Sequence, residues 1–255
     1  MEVLLTIVVI VVGIVAAVLA WQADQRRRKL LIDWAAKNGW TFSEDRVGVP
    51  DMDYDLFRVG HTRWSRYWAE REFEGATPGL ERARVRLFEY HYAVTRSNGK
   101  QTYTQHYYFT CGAAEPGVDL GRVFIRDENW GDKLVQAVGF DDIDLEDADF
   151  SKRFVVKARD RKEAYDLLDG AMMRFLTTRG GWVIETNGRE LFVYRSGRVN
   201  PGAFEDAAGL MLGFVAQLPR VMVNAERARL GLPALIEAGS AATASREART
   251  KETGY

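Results

Sequence analysis

The feature that most constrains this 255-residue chain lies at its start. Residues 3–20 contain no charge and consist almost wholly of Val, Ile, Leu and Ala; Trp21 closes the run, and Arg26, Arg27, Arg28 and Lys29 come next. A bilayer core about 30 Å thick needs roughly 20 apolar residues at about 1.5 Å rise each. Residues 3–21 supply 19. Without water, the backbone must satisfy its own hydrogen bonds, and a helix does so within one segment. An amphipathic ring such as Trp21 belongs at the headgroup level.

The polarity of the flanks predicts orientation. No Lys or Arg precedes the run, and Glu2 stands where a secretory signal would carry positive charge. The cations after it predict, by the positive-inside rule, an N-terminus outside and the remaining chain in the cytoplasm. The expectation is an uncleaved single-pass anchor in a bacterial inner membrane, with Trp21, Arg26, Arg27, Arg28 and Lys29 at its interface. Gly13 and Ala17 have the small-xxx-small spacing that lets two anchors approach, which offers a route to a homo-oligomer.

The chain beyond the basic cluster reads as a packed domain. Aromatic residues make up 12% of the chain, too many for a solvated tail. A net charge of −1 gives no global bias toward nucleic acid. The lone cysteine, Cys111, forbids an intrachain disulfide and suits a reducing cytoplasm.

The predicted class is α+β: a transmembrane helix, then a largely antiparallel sheet with helices packed on it, the second half running β-α-β-β-α. The expected divisions are an anchor at 1–23, a juxtamembrane helix at 24–39 with Gly39 as its cap, and a β-rich subdomain at 40–140. An acidic connector at 141–150, a second subdomain at 151–220 and a largely disordered tail at 221–255 complete them. Further helices are expected at 132–138, as one continuous stripe from Ala164 to Leu176, and from Phe204 to Leu218, where Pro219 stops it.

The clearest β signal spans 84–110, two alternating runs joined by Asn98-Gly99, and Asn187-Gly188 joins a second such pair. Asn-Gly as the two central residues favours a type I′ turn. That turn pairs Phe88 with Phe109, Tyr90 with Tyr107, Tyr92 with Gln105 and Val94 with Tyr103 on one aromatic face. Glu89, His91 and His106 fall on the opposite, solvated face, with His91 directly across from His106.

Few residues suggest chemistry. The chain lacks a phosphate-binding glycine loop, a Gly-x-Ser-x-Gly elbow, a His-Glu-x-x-His motif and any Cys-x-x-Cys. With three His and one Cys, it cannot build the common structural zinc sites. Glu89, His91 and His106 are the candidate metal ligands: two imidazoles and a carboxylate suit Zn²⁺ or Fe²⁺ with open positions. Asp142-x-Asp144-x-Glu146 begins like a calcium loop, but Asp147 stands where glycine is required. With no cofactor expected, the leading functional expectation is a non-catalytic module that binds the bilayer, a lipid or a protein partner. A membrane-tethered metal-dependent enzyme or sensor using Glu89, His91 and His106 is the alternative.

Several segments taken together carry a resemblance. They are the anchor with Trp34-Ala35 and Gly39-Trp40, the run Phe88-Glu89-Tyr90-His91-Tyr92, and Phe154-Val155-Val156-Lys157-Ala158 leading into Ala164-Tyr165-x-Leu167-Leu168. Over roughly residues 1–220 the chain resembles a loose group of uncharacterised bacterial single-span membrane proteins with a cytoplasmic α+β domain. The resemblance implies that architecture and no activity, and it transfers no site residues.

Overall fold

The computed structural model describes residues 1–77, 82–128, 141–143, 145 and 147–235. It opens with one uninterrupted helix, α1 (Glu2–Lys37), which covers both the expected anchor and the expected juxtamembrane helix. The segment from Val3 to Leu19 stands clear of the domain, with Leu4 68% and Val9 63% exposed, whereas Leu31, Trp34 and Ala35 are buried. α1 is long and apolar enough to cross a membrane, with a mean hydropathy of 3.3 in its apolar window. It ends where the Asn38 N–H donates to the Trp34 carbonyl and Gly39 takes a φ of +69°, a left-handed position that glycine occupies without steric cost.

The described residues of the domain form nine strands: β1 (Thr41–Ser43), β2 (His61–Glu74), β3 (Arg82–Ser97), β4 (Thr102–Glu115), β5 (Val123–Asp127), β6 (Asp141–Asp142), β7 (Phe154–Ala158), β8 (Val183–Asn187) and β9 (Glu190–Ser196). They form a single sheet in the order β1-β2-β3-β4-β9-β8-β5-β7-β6, antiparallel at every pairing. An α+β fold with an N-terminal apolar helix is therefore what the chain adopts. The strands assigned by sequence to two subdomains share this one sheet, because β4 hydrogen-bonds to β9 and β5 lies between β8 and β7.

Among the described residues five more helices pack with the sheet: α2 (Ala148–Arg153), α3 (Arg161–Leu167), α4 (Gly170–Thr177), α5 (Pro201–Ala216) and α6 (Arg220–Arg229). Asp160 caps α3 through the Lys162 N–H. The single helical stripe expected from Ala164 to Leu176 is broken, because Asp169 restarts the chain as an N-cap, accepting from the N–H groups of Ala171 and Met172. Asn200 caps α5 with Pro201 in its first turn. The expected tail opens with a helix, since α6 docks through buried Val223 and through Glu226, which accepts from Arg189 and Arg229. The helix expected at 132–138, two residues of the acidic stretch and the chain beyond 235 lie outside the described residues.

Both sheet faces are covered. On one, Val85, Leu87, Leu191 and Val193 pack with α1 and α5 through Trp34, Phe204, Met211 and Phe214. On the other, Phe88, Tyr90, Tyr92, Phe109, Phe192 and Tyr194 form an aromatic layer closed by Tyr54, Leu56 and Phe57 from the 3-10 turn Asp55–Arg58. Rings meet there at 4.5 Å (Tyr54–Phe192) and 4.8 Å (Phe57–Tyr90).

The hairpin register corrects the expected one. Phe88 pairs with Cys111, Tyr90 with Phe109, Tyr92 with Tyr107 and His91 with Tyr108. The two central turn residues are Gly99 and Lys100; Asn98 flanks the turn, its Oδ1 accepting from the Lys100 and Gln101 N–H groups. Gly99 has a φ of +82° and Lys100 no positive φ, which suits a II′ geometry rather than I′. The second hairpin repeats the displacement, pairing Asn187 with Glu190 around Gly188 and Arg189. A turn moved by one residue shifts the pairing by two, so each residue keeps its predicted face while its partner changes.

Candidate functional site

The side chains that most invite a functional reading gather where α1 enters the domain. Glu89 projects from the centre of β3 and is fully buried, not solvated as the sequence suggested. Its carboxylate accepts from Arg27 Nη1 of α1 (3.1 Å), from Arg66 Nε of β2 (2.8 Å) and from the Val199 backbone N–H (3.1 Å). Asp24, one turn before Arg27, binds Arg27, lies 3.3 Å from Arg66 and lies 3.9 Å from Arg198. Although burial alone would raise it, the carboxyl of Asp24 is held below its ordinary value by Arg27 and Arg66. α1 is thus clamped to the sheet by a five-residue charge network.

Two irregularities in β2 aim this machinery. Pairing with β3 slips between His61 and Trp64 and again between Arg66 and Ala69, and Thr62 and Tyr67 adopt φ values of +52° and +57°. Bulges of this kind redirect side chains and occur near functional surfaces. Between them Trp64 sits opposite His91 and Arg66 opposite Glu89.

A ladder of rings and cations extends from the network. Arg46 lies over Trp64 at 4.5 Å, Trp64 stacks on His91 at 4.5 Å, His91 meets Tyr108 at 4.7 Å, and Arg198 lies over Tyr108 at 3.8 Å. The two arginine contacts are attractive because the cation faces the negative face of the ring.

The candidate metal ligands are only partly brought together. His91 and His106 are diagonal rather than direct neighbours, yet His91 Nε2 lies 3.0 Å from His106 Nδ1. His91 Nδ1 lies 3.0 Å from the Thr62 carbonyl, which can only accept. The carbonyl makes His91 Nδ1 the donor, so a neutral His91 accepts at Nε2 from His106 Nδ1–H. Burial, with His106 and Arg46 nearby, holds His91 below the usual imidazole range against the opposing Thr62 contact. The carboxylate of Glu89 is taken up by the two guanidinia and Val199. Among the described residues no group of three His, Cys, Asp or Glu side chains converges as metal ligands do.

The expected interface residues divide into two kinds. Trp21, Arg26 and Lys29 are exposed, whereas Arg27 is bound to Glu89 and Arg28 to Glu44. Asp24, Arg66 and Arg198 were not singled out by the sequence. Asp24 and Arg27 at i, i+3 form a local signal, but nothing local marks Arg66 or Arg198, which come from β2 and the β9–α5 loop. Beside this loop a cleft of about 500 Å³ opens between α1 and the domain, lined by Ala20, Ala23, Asp24, Arg27, Arg66, Arg198, Val199 and Asn200.

The same contacts orient the sheet. Arg27 is level with Glu89, whereas Trp40, beyond the other end of α1, packs on Phe73, which pairs with Ala83. β3 therefore runs from Ala83 to Ser97 toward the apolar end of α1.

Among solved structures, the chain is similar to the crystal structure of the mycobacterial trehalose monomycolate transport factor A, TtfA, with a TM-score of 0.54 and 15% identity over 83% of this chain and 97% of that one. At that identity the likeness is one of fold. No protein-family model matches the chain, and no curated protein does.

Proposed function

We propose that this chain is a single-pass protein of the bacterial inner membrane, N-terminus outside, whose cytoplasmic domain is a non-catalytic module binding a lipid or protein partner at the membrane surface. The observation that carries the reading is the continuity of α1, whose exposed apolar stretch and buried Leu31, Trp34 and Ala35 belong to one 36-residue helix. A flexible linker would let a tethered domain wander. A continuous helix pinned by Arg27 to Glu89 instead holds the domain at one height and one orientation over the bilayer. A module built this way serves a partner that is itself in or on the membrane. The fold-level neighbour is named as a trehalose monomycolate transport factor, and this supports an accessory role in lipid handling.

A membrane-tethered metal-dependent enzyme or sensor on Glu89, His91 and His106, using Zn or Fe, is the second reading. The 3.0 Å imidazole contact favours it, and the commitment of Glu89 to Arg27 and Arg66 weighs against it.

The test is alkaline carbonate extraction of membranes from an expressing bacterium, followed by intact mass measurement. The chain is expected to stay in the pellet at full mass. Release into the supernatant, or a mass shortened by the apolar segment, would overturn the reading.

A further inference from the structure

We propose that the cleft between α1 and the β9–α5 loop is a binding site for the phosphodiester of an anionic membrane phospholipid. The inference rests on the membrane-anchored reading and names the partner at its interface. Position, size and charge converge on it. The cleft begins at Ala20, the last residue of the apolar run, so a headgroup there would leave its acyl chains beside the exposed Val, Ile and Leu side chains of α1. The small side chains of Ala20 and Ala23 leave the space, and a cleft of about 500 Å³ falls within the range of small-molecule sites.

The charge is also suitable. Arg27, Arg66 and Arg198 face the cleft, while Asp24 and the buried Glu89 oppose them, leaving one net positive charge for one phosphodiester negative charge. The two carboxylates take up Arg27 and Arg66 and hold them in place. Arg198 is different: its side chain is 48% exposed, its contact with Asp24 is a long 3.9 Å, and Tyr108 supports its flat face. Its exposed edge is therefore the one offered to a ligand, and a guanidinium edge matches a phosphate bidentately. Asn200 and the start of the 16-residue α5 border the same space, where helix N–H dipoles favour an anion. Exposed Arg26 and Lys29 add to the local positive potential over an anionic leaflet.

The test uses the full-length chain in detergent micelles, with melting followed as phosphatidylglycerol, phosphatidylcholine or inorganic phosphate is added. Phosphatidylglycerol should raise the melting temperature through linkage, and the other two should do so far less. Arg198→Gln should weaken the apparent phosphatidylglycerol affinity roughly tenfold, equivalent to about 1.4 kcal/mol. Ala23→Trp, which fills the cleft without changing charge, should weaken it likewise, so the test survives a folding defect in either variant. Equal responses to phosphatidylglycerol and phosphatidylcholine, an equal response to inorganic phosphate, or unchanged affinity in both variants would overturn the site. If the chain resists carbonate extraction while the lipid response fails, this inference falls and the anchored reading stands. If the chain is not membrane-bound, both fall.

Discussion

Replacing Glu89 by alanine tests the clamp between α1 and the rest of the domain. The wild-type carboxylate is fully buried and accepts from Arg27, Arg66 and the Val199 N–H at 2.8–3.1 Å. Glu89→Ala leaves the Arg27 and Arg66 side chains, only 13% and 19% exposed, facing each other without their shared counter-charge. It also orphans the Val199 N–H. Removing one partner of a buried ion pair costs about 3–5 kcal/mol, far more than the pair contributes relative to an apolar replacement. Asp24 remains near both guanidinia, so the lower end of that range, about 3 kcal/mol, is expected. The comparison variant is Asp206→Ala, which removes the solvent-facing partner of Arg195 and should cost about 0–1 kcal/mol. Urea unfolding of the full-length chain in micelles, followed by tryptophan fluorescence, measures both. A Glu89→Ala loss below about 1 kcal/mol would refute the clamp, because it would mean that Arg27 and Arg66 regain solvation without unfolding.

Other expectations rest on the same packing. Phe109→Ala, in the aromatic layer, should cost about 3–5 kcal/mol in the same unfolding assay. Gly112→Val should destabilise by about 1–3 kcal/mol, since even a Cβ at that position would lie 2.6 Å from Met211 and 3.2 Å from Leu87. Burial pushes the Glu185 carboxyl up to about 8, opposed by its Tyr194 hydrogen bond. A raised folded pKa gives stability that is complete below the unfolded value and is lost as pH rises toward the folded one. The melting temperature should therefore fall between about pH 5 and 8, and Glu185→Gln should flatten that fall.

What the sequence made legible was local. The apolar run, the strand cores and the two faces of the long hairpin all arise from patterns within a few residues. The turn itself was misread because Asn98 can serve either as a central residue or, through its side-chain oxygen, as the flank that accepts from Lys100 and Gln101. Local composition does not separate the two, and the aromatic sorting survives either choice. Nor could it show the union of β4 with β9, a pairing between Cys111 and Tyr194 that no nearby residue announces. The candidate site was hidden for the same reason. Glu89 alternates with aromatic residues as a solvated carboxylate would, and it is buried by Arg27 from 62 residues earlier in the chain. The basic cluster reads as a topology signal, and only the fold distinguishes the inward Arg27 from exposed Arg26 and Lys29.

The central claim is that α1 carries the domain on the cytoplasmic face of a membrane, and cysteine labelling tests it most directly. Cys111 is buried, and burial raises its thiol pKa well above the ordinary value, so the native chain should be silent toward a membrane-impermeant maleimide. Glu2→Cys and Lys152→Cys then report the two ends, Lys152 having a side chain 78% exposed. In intact spheroplasts Glu2→Cys alone should be labelled, with Lys152→Cys labelled after lysis. Labelling of Lys152→Cys in intact spheroplasts, with Glu2→Cys protected until lysis, would contradict the claim.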